Sequence, residues 1–180
     1  MPRAFTLLLL SIGIWLMAVP AQGAGDTAYT EDAVKAAYLH RFAAYVEWPA
    51  PAPTDAAFTI GVLGSDAVLE QLERLLPSIN INGRGATARA VKGAADLDGI
   101  SILYVAPGRL ATAKSLIAAA ASHAVLVVTD DPDGMKSGGA INFVRVGANV
   151  RFEVSLPAAD RSGLKIDAAL LAIATHVEAR

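Results

Sequence analysis

Residues 100–128 read ISILYVAPGRLATAKSLIAAAASHAVLVV, and this stretch decides the fold class. Ile100 to Val105 is an apolar, β-rich run closed by the turn pair Pro107-Gly108. An alanine-rich helix is predicted from Arg109 to about Ser122. Ala124 to Val128 follows as an almost wholly apolar strand, the pattern of a strand buried on both faces. A strand, a helix and a second strand of this kind make a crossover unit. Upstream, Phe58 to Leu63 is another β-rich run, turned by Gly64-Ser65 into a helix from about Asp66 to Leu76 with Leu69, Leu72 and Leu76 on one side. Asn80-Ile81-Asn82-Gly83 reads as a turn, Ala86 to Val91 as a strand and Ala94 to Leu97 as a short helical turn. Such alternation predicts an α/β domain: a Rossmann-like layered sheet with helices on both faces.

The two ends of the pattern differ from its middle. Before it, Thr30 caps a helix whose first turn carries Glu31 and Asp32, well placed against the positive helix terminus. Val34, Tyr38, Phe42, Tyr45 and Val46 recur at three- and four-residue steps as one apolar stripe, with Lys35, Arg41 and Glu47 off it. Pro49 ends this helix, and Pro49, Pro51 and Pro53 make a stiff connector. After it, Ala140 to Val146 and Val150 to Leu156 flank Gly147-Ala148-Asn149 as a C-terminal β-hairpin. Val150, Phe152, Val154 and Leu156 alternate with Arg151, Glu153 and Ser155, one face core and the other wet. A final helix spans about Ile166 to Val177.

Met1-Pro2-Arg3, the apolar run Phe5 to Val19 and the small residues Pro20 to Gly23 have the three-part layout of a secretory signal peptide. Cleavage after Gly23 places Ala21 at the third position back; a cut after Ala21 is the second choice. The run is shorter than the roughly 20 residues a spanning helix needs. Residues 1–23 are therefore assigned as signal peptide and residues 24–180 as a single domain, large enough to bury its own core. Removing Arg3 from 15 basic residues leaves 14 against 17 acidic ones, and no basic block points to nucleic acid. The chain has no cysteine, which excludes a thiol nucleophile, thiolate metal sites and disulfides.

Tests for chemistry return little. Gly61-Val62-Leu63-Gly64-Ser65 sits where a doubly wound sheet places a ligand loop, but it lacks the third glycine of a dinucleotide fingerprint and the Gly-Lys-Ser/Thr of a P-loop. It reads first as a tight turn; Gly61, Gly64 and Ser65 are the residues a small ligand would use. Asp130, Asp131, Asp133 and Gly134 resemble the start of a calcium loop, yet Pro132 and the absence of a closing Glu favour a solvated turn. His40, His123 and His176 are scattered, and no Gly-x-Ser-x-Gly elbow occurs. No catalytic residue, metal site or cofactor is predicted. Five of the nine aromatics outside the leader fall between Tyr29 and Trp48. Tyr38, Phe42 and Tyr45 read as core, and Trp48, beside a proline, as a candidate partner contact. Arg145, Arg151 and Glu153 read first as cross-strand pairs.

In this order the segments resemble a known family. VKAAYL at Val34–Leu39, VEWP at Val46–Pro49, IGVLG at Ile60–Gly64, INGR at Ile81–Arg84, GGAINF at Gly138–Phe143, VRFEV at Val150–Val154 and RSGLKI at Arg161–Ile166 are similar to the YfiR-like family of periplasmic regulators. The resemblance implies a domain that works in the periplasm by binding rather than catalysis. Its partner would be the periplasmic sensor domain of an inner-membrane diguanylate cyclase, which it restrains, lowering cyclic-di-GMP and biofilm formation. It further implies an outer-membrane lipoprotein as a second partner and a homodimer. Trp48, Arg145, Arg151, Glu153, Leu164 and Ile166 are the expected contact surface. The best-known member carries disulfides; this chain, without cysteine, departs from it there. The alternative is a periplasmic small-molecule-binding protein that uses the Gly61–Ser65 loop.

Overall fold

A computed structural model describes residues 30–49 and 56–179. The predicted signal peptide and the Pro51 and Pro53 part of the connector lie outside the described residues. The elements, in chain order, begin with α1 (Glu31–Phe42), β1 (Val46–Glu47), β2 (Phe58–Leu63), α2 (Asp66–Leu75), β3 (Asn80–Ile81) and β4 (Arg84–Ala90). They continue with β5 (Ile100–Val105), α3 (Leu110–Ser122), β6 (Leu126–Thr129), β7 (Ile141–Val146) and β8 (Asn149–Ser155). The chain closes with α4 (Leu156–Arg161), β9 (Lys165–Ile166), α5 (Ala168–Ile173) and β10 (His176–Glu178).

Eight strands form one mixed sheet in the order β10-β8-β7-β6-β5-β2-β4-β3, and β1 pairs with β9 in a separate two-stranded piece. The centre is parallel, from β4 through β2, β5 and β6 to β7. The hairpin partner β8 is antiparallel to β7, and β3 is antiparallel to β4. Alternate residues of the central strands feed two cores, as the two-residue strand period requires. Ile102 and Tyr104 of β5 and Leu126 and Val128 of β6 join the core under α1 and α2. Leu103 and Val105, with Val127, join the core under α3, and so does Ile100, where a register shift against β2 breaks the alternation. The layered α/β class, with helices on both faces and a C-terminal hairpin and helix, is therefore present. The turn predicted over residues 80–83 is narrower: Asn80 and Ile81 form β3, and Asn82 and Gly83, with positive φ of 52° and 82°, make a two-residue hairpin turn into β4.

The largest departures from the sequence reading are in the first and last helices, and Leu156, read as the end of a strand, instead opens α4. The first helix stops at Phe42, because Val46 and Glu47 leave it to pair with Ile166 and Lys165, and the Asp167 amide donates to the Tyr45 carbonyl. A pairing of residues so distant in sequence outweighs local helical spacing. The predicted helix Ile166–Val177 is likewise broken. Asp167 caps the short α5, then the Thr175 backbone amide and hydroxyl both donate to the Phe152 carbonyl and lead the chain into β10, parallel to β8.

The face of α1 is also rotated from its predicted stripe. Its buried side carries Lys35, Ala36, Leu39 and Phe42, while Val34 and Tyr38 are half-buried and Tyr45 is exposed. Phe42 lies 5.2 Å from Phe152 and 5.9 Å from Phe143, centroid to centroid, and Tyr38 lies 5.6 Å from Phe152. Full burial of Leu39 and Phe42 stabilises the docked helix by roughly 1.5–3 kcal/mol each.

Candidate functional site

The seating of α1 turns on a lysine. Lys35 is only 5% exposed, on the side of the helix that faces the sheet. Its Nζ lies 2.6 Å from Glu31 Oε1, one turn back, and 2.5 Å from Asp130 Oδ2, just beyond the end of β6. The Tyr104 hydroxyl, from the end of β5, donates to the same Asp130 oxygen at 2.9 Å. Arg145 of β7 reaches Glu31 Oε2 at 2.5 Å. Burial works to lower the Lys35 pKa, but its bonds to Asp130 and Glu31 outweigh that and hold the amine above its ordinary value. The Lys35 bond holds the Glu31 carboxyl below its ordinary value, against the effect of burial. Burial first, and the Asp130 carboxylate second, push the Tyr104 phenol up. Lys35 and Tyr104 thus both keep their protons. The network fastens α1 to the β6 loop and the hairpin.

On its outer side α1 is flanked by two grooves. One, of about 610 Å³, runs between α1 and α2 and is lined by Ala33, Val34, Ala37, Tyr38 and Leu75, with Arg41, Gln71 and Arg74. The other, of about 390 Å³, lies between α1 and the hairpin tip and carries Glu31, Arg145, Asn149 and Arg151. Val34 and Tyr38 line both, so the two grooves form one surface with α1 as its ridge.

This surface takes up part of the expected contact set. Arg145 and Arg151 lie on it, although Arg145 is paired with Glu31 of α1 and not across the hairpin, where Val150 stands opposite. Arg151 is exposed and makes no ion pair among the described residues. Glu153 is half-buried, opposite Asn142 on one side and His176 on the other. Trp48 is half-buried with its ring edge-on to Phe58 at 5.4 Å. Leu164 is 1% exposed and belongs to the core, so it cannot touch a partner directly. Ile166 is half-buried in the β1–β9 pair. No hydrogen bond, ion pair or ring contact joins Trp48, Leu164 or Ile166 to the arginines among the described residues.

The Gly61–Ser65 loop has structural work for each residue. A side chain at Gly61 would meet Val91 Cγ2 at 2.6 Å. Gly64 has φ of +86°, and the Arg109 side chain lies across it. Ser65 accepts from the Val68 amide and caps α2. The acidic loop is not wholly solvated as read: Asp131 accepts from the Asp133 amide and Asp133 pairs with Lys136, but Asp130 belongs to the Lys35 network. Below it, the buried Thr129 hydroxyl donates to Asn142 Oδ1 at 2.8 Å. No group of three or more His, Asp or Glu that could hold a metal ion occurs among the described residues. Sequence reasoning missed Lys35 and Asp130 because their pairing is tertiary. The signal was present nonetheless: Lys35 sits between Val34 and Ala36 in an otherwise apolar run, and an aspartate directly follows an apolar strand.

Comparison with known proteins identifies the relatives of this arrangement. The model of a family described as YfiR/HmsC-like (DUF4154) matches residues 32–175. No curated protein matches. The fold is similar to the crystal structure of a conserved domain protein from Vibrio cholerae O1 biovar eltor str. N16961, with a TM-score of 0.56 and 14% identity. That match covers 83% of this chain but 60% of the other, which is the longer by that measure.

Proposed function

As this chain belongs to the YfiR/HmsC-like family, we propose that it is an exported regulatory binding protein that restrains an inner-membrane diguanylate cyclase through the cyclase's periplasmic sensor domain. The observation that carries this reading is the family match, which spans nearly all the described residues. The family points to a regulator and not an enzyme, and among the described residues no helix is long and apolar enough to cross a membrane. Residues 1–23 then serve as the export signal, the protein works in the periplasm, and an outer-membrane lipoprotein or a second copy of the chain competes for its surface.

Restraint requires that the protein bind the inactive form of the sensor more tightly than the active form; each tenfold preference shifts the equilibrium by about 1.4 kcal/mol. The surface along α1 suits such a role, with apolar area on one side and the Arg145–Arg151 groove on the other. With no cysteine, control by disulfide formation does not operate here.

The test is to delete the gene in its own host and measure cyclic-di-GMP. A rise, reversed by the wild-type chain but not by Arg151→Glu, is expected. An unchanged level in the deletion strain refutes the reading.

A further inference from the structure

The outer side of α1 is patterned against the usual rule for a surface helix. A helix on a soluble domain turns its apolar stripe inward and its charges outward. Here Lys35 is turned inward and is fully engaged, while Ala33, Val34, Ala37 and Tyr38 line the open groove toward α2. With Ala36, Leu39 and Phe42 buried beneath, the apolar surface of α1 extends past the part that the sheet covers. Apolar surface that a domain leaves open marks a site for a partner.

The groove describes its occupant. Its floor is made of small residues, Ala33, Ala36 and Ala37, which let a third helix approach two others closely; helix axes pack 8–10 Å apart depending on the side chains at the contact. At about 610 Å³ it has room for several side chains of an amphipathic helix. The polar groups are few and carry one sign of charge. Arg41 stands in the last turn of α1 and Arg74 in the last turn of α2. Arg41 also lines a smaller pocket with residues 79–82, which follow α2, so the two arginines lie toward the same end of the groove. Arg41 makes no ion pair among the described residues, and Arg74 has only an exposed contact of 3.5 Å to Glu70. Such rim charges set orientation and choice of partner.

From these features we propose that the α1–α2 groove is the docking site for an amphipathic helix of the membrane partner, with an apolar stripe at three- and four-residue spacing and Asp or Glu beside it. The proposal rests on the reading that the chain works by docking on a membrane protein, and it specifies the surface and the docking element.

The absence of cysteine makes a clean test possible. Mature protein with Ala37→Cys carries a photo-cross-linker in the groove; Arg151→Cys carries it on the hairpin, and Lys114→Cys carries it on α3, on the other side of the sheet. Each is irradiated with membranes of the producing organism, and the cross-linked peptides are sequenced by mass spectrometry. The expected result is capture from Ala37→Cys, and not from Lys114→Cys, of a membrane-protein segment with the stated helical pattern and acidic flank. Adding Arg41→Glu and Arg74→Glu, both on exposed residues, should cut that yield about tenfold. Capture of a second copy, of lipid, of residues 24–29 of the same chain or of a segment without that pattern overturns the proposal. So does equal capture from Lys114→Cys, or no capture from folded Ala37→Cys. Capture from Arg151→Cys alone overturns the groove but leaves the regulatory reading standing; an unchanged cyclic-di-GMP level overturns the regulatory reading itself.

Discussion

Lys35→Met tests whether α1 is held by charge or only by packing. Methionine keeps most of the apolar stem and removes the ammonium, so the cavity cost is small. Asp130, 16% exposed, then loses its counter-charge and keeps only the Tyr104 hydroxyl. Glu31 is 35% exposed and retains Arg145, so it suffers less. Breaking a buried pair from one side costs about 3–5 kcal/mol, and the partial exposure here places the loss near 3 kcal/mol. For a chain of this length that is a fall in Tm of roughly 6–12 °C. Urea unfolding followed by circular dichroism at pH 7 measures it. Adding Asp130→Asn to Lys35→Met removes the stranded charge while leaving an acceptor for Tyr104, and should recover at least half of the loss through a coupling of about 1–3 kcal/mol. The deficit should also depend on pH. Glu31 is held below 4.5, so its contribution is complete above that value and fades as pH falls through its folded-state pKa. Lys35 is held above 10.5, so its contribution is complete below that value and fades as pH rises through its folded-state pKa. A single variant within 0.5 kcal/mol of wild type, or a double variant no better than the sum of the singles, would refute the network as a determinant of stability.

Two further expectations follow from close contacts. Thr129→Val removes the buried hydroxyl that donates to Asn142 Oδ1, which keeps only the longer bond from the Asp131 amide at 3.3 Å, and should cost about 0.5–1.5 kcal/mol in urea unfolding; no measurable loss would mean the loop re-pairs. Gly64→Ala forces an alanine into positive φ under the Arg109 side chain and should cost about 1–2 kcal/mol. The cost should fall in an Arg109→Ala background, where only the backbone term survives, and equal costs in both backgrounds would show that the contact does not matter.

The sequence showed what is periodic and hid what is paired at a distance. Ile100–Val105 was legible to the residue because both cores draw on alternate positions of one apolar run. The hairpin was legible from Val150, Phe152 and Val154. Val46 continued a helical spacing and still became a strand, since its partner Ile166 lies 120 positions on (166 − 46). Val34 and Tyr38 looked like the inner stripe, and only Asp130 explains why Lys35 turns inward and moves them to the edge. Of the expected contacts, Arg145 and Arg151 reached the surface. Leu164 did not, because a short apolar run does not reveal on its own which side is covered.

The attachments of α1 also bear on the order of assembly. Asp130, Phe143, Arg145 and Phe152, which hold its Lys35, Phe42 and Glu31, all come much later in the chain. Twelve residues alone make a marginal helix in water, and the contacts that would fix it close loops of a hundred residues or so. A growing or emerging chain therefore cannot place Lys35 until β6 and the Asp130 that follows it are in position. The segment that comes first in the fold is seated late, and until then the side that carries Lys35, Leu39 and Phe42 stays open to whatever else the chain meets.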